Sequence, residues 1–218
     1  MNGPPVRTNK VADAAVVVTI CFGWFILGSI GAVASGFPTR PFDDSTFIAI
    51  IFLEVLLAAA ALFYLRLRGH DLSPFVPSPT GIGCLVGLAL YGVATLATWP
   101  IYHALGRPDL ATQPIEQMVA GASISLPWLL GVSIVNGLYE ESFLVGYLLR
   151  ELEAFGASLA VGVTVLIRVL YHLYQGPLGA IYIVAFGIVL ATYYWRTRKL
   201  WPVVFAHIFA DVAGFSLR

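Results

Sequence analysis

Ionisable side chains interrupt otherwise apolar sequence in the second half of the chain: adjacent Glu140 and Glu141, then Arg168 and His172, then His207 and Asp211. A carboxylate beside an imidazole in a site shielded from bulk water is suited to activating water as a general base. His207 and Asp211 are four residues apart and share one helical face. An imidazole with such a polar neighbour can steady a developing oxyanion. Glu140, His172, His207 and Asp211 could equally ligate a divalent metal such as zinc, with a water in the open position. Either chemistry is hydrolysis, and the residues leave open whether the cofactor is a metal or none. Amide bonds are the evident target within a membrane.

The elements that must position these groups are membrane spans. The sequence is 59% hydrophobic and only 11% charged, with a mean hydropathy of +0.85. A soluble domain carries about a quarter charged residues. A net charge of zero supplies no basic field for nucleic acid. Cys21 and Cys84 both lie in apolar runs and form no disulfide or metal-binding pattern. Spans of roughly 20 residues fit at 12–35, 46–65, 80–105, 122–149, 157–175, 177–195 and 200–217. The fold class is all-α, a polytopic transmembrane bundle of about seven spans with its site near mid-bilayer. Turn-rich breaks separate the spans: Gly36-Phe37-Pro38, Arg66 to Pro79, Gly106 to Pro114, Gly176-Pro177 and Arg196 to Lys199. Ala32-Val33-Ala34 imitates a signal-peptide cleavage site, but the apolar run before it is too long for a signal core, so an anchoring helix is expected.

Lys and Arg set the orientation. With the N-terminus cytoplasmic and the C-terminus outside, inner segments hold Arg7, Lys10, Arg66, Arg68, Arg150, Arg196, Arg198 and Lys199. Outer segments hold only Arg40, Arg107 and Arg218. The expected organisation is a cytoplasmic tail (1–11), a variable three-span region (12–121) and a four-span catalytic core (122–218).

Charges within spans are expensive, which gives the polar cluster its interest. If spans four and five form a hairpin turning near Phe155-Gly156, Glu140 and His172 both lie roughly 23 Å from that turn. His207 and Asp211 stand about 10–16 Å beyond Lys199 on span seven. Three helices thus bring these groups to a common depth. Glu54, alone on span two, reads as structural glue.

Three motifs resemble the CPBP intramembrane proteases, the family of CAAX prenyl endopeptidases and bacteriocin-processing and Abi-type relatives. They are Glu140-Glu141-Ser142-Phe143-Leu144-Val145-Gly146-Tyr147-Leu148, then Tyr171-His172-Leu173-Tyr174-Gln175-Gly176-Pro177, then His207-Ile208-Phe209-Ala210-Asp211 after Leu200-Trp201-Pro202. The resemblance covers roughly 124–215. It implies an integral protein of a bacterial or archaeal cell membrane that cleaves a membrane-associated, prenylated or leader-type peptide or a lipid-anchored protein. It also implies Glu140 as the base, His172 assisting, Glu141 supporting, and His207 with residue 211 stabilising the oxyanion. The family is described both as glutamate proteases and as metalloproteases.

Two departures stand out. Val145 occupies the family's arginine position, and Arg168, one turn below His172, is expected to supply the missing cation to Glu141 from across the hairpin. Asp211 replaces an amide that would donate, whereas an ionised carboxylate only accepts. Asn136, one turn before Glu140, could bond a substrate backbone or pack between helices. Gly131, Gly137 and Gly146 are expected at close helix contacts, and the tryptophans at the interfaces. The competing readings are a catalytically silent scaffold or regulator, and a proton-coupled transporter, although the paired repeats common among transporters are missing from the sequence.

Overall fold

A computed structural model describes residues 10–37, 40–105 and 113–216. The expectations placed on Arg7 and most of the tail, on Pro38, on Arg107 and its turn up to residue 112, and on Arg218 lie outside the described residues. The described chain is all-helical; its β pairing is a single isolated bridge between Asp43 and Ser123.

The long helices are α1 (Lys10–Ala34), α2 (Asp44–Leu67), α3 (Gly81–Ala104), α6 (Ala157–His172), α7 (Pro177–Thr197) and α8 (Leu200–Ser216), with a short α4 (Pro114–Ala120) and α5 (Leu126–Glu141) between α3 and α6. α5 does not stop at Glu141. It continues as a π-helical segment, Ser142–Leu148, and a closing turn, Leu149–Glu151. Local chemistry sets the boundaries. Thr80 caps α3 by accepting from the Gly83 amide at 3.0 Å. Asp43 caps α2 through the Thr46 amide at 2.8 Å. The Thr46 and Ser45 hydroxyls join that amide in holding the Asp43 carboxyl below the usual carboxylate range. Gly156 and Gly176, at φ 88° and 89°, turn the chain into and out of the α6 hairpins in a backbone region that other residues rarely adopt.

The interior is polar and the surface apolar. Phe52, Ile82 and Leu96 are 72%, 76% and 71% exposed, whereas Arg168 and Glu141 are 1% and 0% exposed. Water would reverse that order, and lipid tails require it. The protein is an integral membrane protein. By length and hydropathy α1, α2, α3, α6 with its following turn, and α7 can each cross a bilayer. Seven spans are not reached on that criterion. α8 has only 17 residues, and α5 only 16 before its hydrogen-bond pattern changes.

The helix ends nevertheless alternate. Lys10 on α1 lies 3.8 Å from Glu151, His70 after α2 also approaches Glu151, and Arg198 after α7 pairs with Glu153. These termini therefore share one end of the bundle. Phe42 before α2 packs on Phe215 of α8 at the opposite end. α1 is part of the core, as an anchoring helix should be. Its Cys21 and Phe22 are buried, Phe22 stacks on Tyr171 with ring centroids 5.0 Å apart, and the Cys21 carbonyl accepts from Tyr139. Cys21 and Cys84 are free thiols.

Candidate active site

Three helices converge on the polar cluster. α5 brings Asn136, Glu140 and Glu141, α6 brings Arg168, Tyr171 and His172, and α8 brings His207 and Asp211. α5 and α8 approach closely because Gly137 has no side chain. A Cβ there would lie 2.8 Å from Ile208 Cγ1, 3.2 Å from its amide and 3.3 Å from the Val204 carbonyl. On α7, Gly187 leaves room for the Arg168 side chain, whose Cδ would stand 3.3 Å from a Cβ. Directly after the glutamates the helix widens into its π segment, a feature that often accompanies functional sites because it re-aims side chains.

The adjacent glutamates have different surroundings. Arg168 Nη2 donates to both oxygens of Glu141, at 2.7 and 2.8 Å, and His207 Nδ1 lies 2.6 Å from Glu141 Oε1. Glu141 is thus saturated by charge-assisted bonds. Glu140 is held through Oε2 alone: Tyr171 donates its hydroxyl to it, Arg168 Nη1 stands at 3.4 Å and His207 Nε2 at 3.9 Å. Its Oε1 takes no hydrogen bond among the described residues. Arg168 therefore bridges both carboxylates from across the hairpin.

The hydrogen bonds fix proton positions. His172 Nδ1 lies 3.0 Å from the Arg168 carbonyl. A carbonyl only accepts, so Nδ1 carries the proton and Nε2 of the neutral ring has a free lone pair. His207 likewise turns Nδ1 toward the Glu141 carboxylate. Asn136 Nδ2 lies 3.1 Å from Asp211 Oδ2 and 3.3 Å from His207 Nε2. A carboxylate that only accepts puts the nitrogen of the amide toward Asp211, so Asn136 presents N–H groups to the site. Asp211 Oδ1 is 3.7 Å from His207 Nε2.

A metal was one reading of this donor set. Glu140, Glu141 and His207 each offer an atom within 4.8 Å of the others, a trio that differs from the expected ligands by including Glu141 and leaving out His172 and Asp211. The trio fits a resident dication poorly. Glu141 already spends both oxygens on the Arg168 guanidinium, and a metal would sit beside that fixed positive charge.

Two residues take places here that the sequence did not assign them. Tyr171 stood in a motif without a role, and only the packed structure turns its hydroxyl to Glu140. Glu54 was read as glue, yet its Oε2 is buried with no hydrogen-bond partner, and its electrostatic neighbours are Glu140 and Asp211. It therefore lies within electrostatic reach of the site.

The bundle and cluster define a class: a helical integral membrane protein with a buried glutamate–histidine–arginine centre. Residues 122–213 match the model of the Rce1-like type II CAAX prenyl endopeptidase family, the CPBP-type family whose three motifs lie within that stretch. The match supports an intramembrane endopeptidase at family level. No curated protein and no solved structure matches the chain.

Proposed function

We propose that the protein hydrolyses a peptide bond of a membrane-associated peptide or lipid-anchored protein, with Glu140 as the base that activates water. The observation that carries this reading is the asymmetry between the two glutamates. Glu141 accepts from Arg168 on both oxygens and from His207, whereas Glu140 keeps one oxygen free of hydrogen bonds among the described residues. A base must keep an accessible lone pair, and a carboxylate held on both oxygens by a guanidinium is a weaker proton acceptor than one with a free oxygen.

In this mechanism a water between Glu140 and His172 gives its proton to Glu140 while its oxygen attacks the scissile carbonyl. His172 Nε2 accepts the water's second hydrogen bond and aims it. The tetrahedral oxyanion needs donors, and an ionised Asp211 is not one. The N–H of Asn136 directed toward His207 fills that role, with Asp211 holding the amide in orientation. Glu140 then passes its proton to the departing amine, which balances the reaction without a metal.

The test uses full-length protein in proteoliposomes and in cells. Small membrane-associated peptides are compared between wild type and Glu140→Gln, which keeps shape and removes the base. Loss of a general base lowers turnover by about 10²–10⁴-fold, so uncleaved substrate should accumulate with the variant. Identical peptide profiles at equal expression would overturn the enzyme reading. Turnover that falls on chelation and returns with a divalent ion would overturn its metal-free form.

A further inference from the structure

A second polar concavity lies away from the acid–histidine cluster, at the end of the bundle where basic residues gather. It is a cavity of about 400 Å³ between the start of α3, the Ser73–Phe75 turn and the α7–α8 junction. Arg150, Arg198 and Lys199 line it together with the apolar Ile82, Val86 and Trp201. We propose that it binds an anionic phospholipid, with the phosphate on the three cations and an acyl chain along Ile82 and Val86.

Charge is the first reason. Among the described residues Arg198 has one ion pair, with Glu153, and Arg150 and Lys199 have none. Asp71, which feels the Arg150 charge, also accepts from the Ser73 amide and hydroxyl. Among the described residues the cavity therefore gathers three cations, contributed by two separate parts of the chain, of which Arg150 and Lys199 make no direct ion pair.

Rigidity is the second. Arg198 takes φ 58° at the end of α7, a left-handed position usually given to glycine. Its guanidinium lies 5.3 Å from the Trp195 ring centroid. A residue held in a disfavoured backbone state, with its head group packed, is a preformed anchor. Trp201 is fixed as well, its indole N–H donating to the Thr80 carbonyl at 3.3 Å.

Shape selects the ligand. Ile82 is 76% exposed on the lipid-facing side of α3, so the apolar wall runs from the cations toward the bilayer interior. A free phosphate would use the cations and leave that wall empty, whereas an anionic phospholipid fills both. Basic concavities at the ends of membrane helices take anionic headgroups for this reason.

The test uses delipidated full-length protein in neutral detergent, titrated with phosphatidylglycerol, with phosphatidylcholine of the same chains, or with inorganic phosphate. Binding is read by native mass spectrometry and by thermal melting. Wild type should retain phosphatidylglycerol at least about tenfold more tightly than phosphatidylcholine. Arg150→Gln with Lys199→Gln should abolish that preference. Val86→Trp, which fills the wall and leaves every charge in place, should weaken phosphatidylglycerol binding and serves if the double variant fails to fold. Equal retention of the two lipids, an unchanged preference in a folded double variant, an unaltered Val86→Trp, or equal stabilisation by inorganic phosphate would each overturn the assignment.

Discussion

Glu141 and Arg168 illustrate what a buried ion pair does at the scale of a single residue. The guanidinium is 1% exposed and the carboxylate 0%, so neither has water to fall back on. Removing one partner strands the other, which typically costs about 3–5 kcal/mol, while removing both together costs far less. Arg168→Leu should therefore lower the melting temperature strongly, and adding Glu141→Leu should recover a large part of the loss; additive losses in that double-mutant cycle would mean the pair is not coupled. Asn136 tests the chemistry instead. If its amide meets the oxyanion, Asn136→Ala lowers kcat by about 10²–10³-fold and leaves KM nearly unchanged. A KM effect alone would assign Asn136 to substrate positioning.

At the scale of elements, the distance between α5 and α8 matters most. His207 Nδ1 reaches Glu141 at 2.6 Å only because Gly137 lets the two backbones meet. Gly137→Leu must push Ile208 and Val204 away, at a cost of about 1–3 kcal/mol by overpacking. It should also lower activity more than stability alone explains, because α8 carries His207 and Asp211 with it. Gly131 is the control: a Cβ there meets only Ile51 Cδ1, at 3.4 Å, so Gly131→Ala should leave turnover and melting close to wild type. Comparable losses at both glycines would refute the close-approach argument.

For the whole molecule, the governing fact is inversion, with charge inside and apolar surface outside. The basic residues Lys10, Arg68, Arg150 and Arg198 belong to one end of the bundle and Arg40 to the other. The positive-inside bias predicts that the basic end faces the cytoplasm. Cysteine labelling in intact cells measures this directly. In a background with both native thiols replaced, a cysteine at Arg40 should react with a membrane-impermeant reagent added outside. One at Asp71 should react only after lysis, and the reverse pattern would invert the topology.

The sequence by itself determined the membrane class, the main helix breaks and the motif residues, because composition, glycine-marked turns and three-motif order are local properties. Gly156 and Gly176 are legible for that reason: the turns they make need a positive φ. Tertiary structure alone decided which groups share bonds. Arg168 lies 27 positions from Glu141, and His207 lies 66 from it, and no periodicity reports which of several nearby carboxylates an arginine will take. The π segment after Glu141, the fork of Asn136 and the partnerless oxygen of Glu54 depend on how three helices press together. Helix length does not reach the expected seven spans for the same kind of reason: hydropathy measures how apolar a stretch is, whereas the ends of α5 and α8 are set by hydrogen bonding and packing.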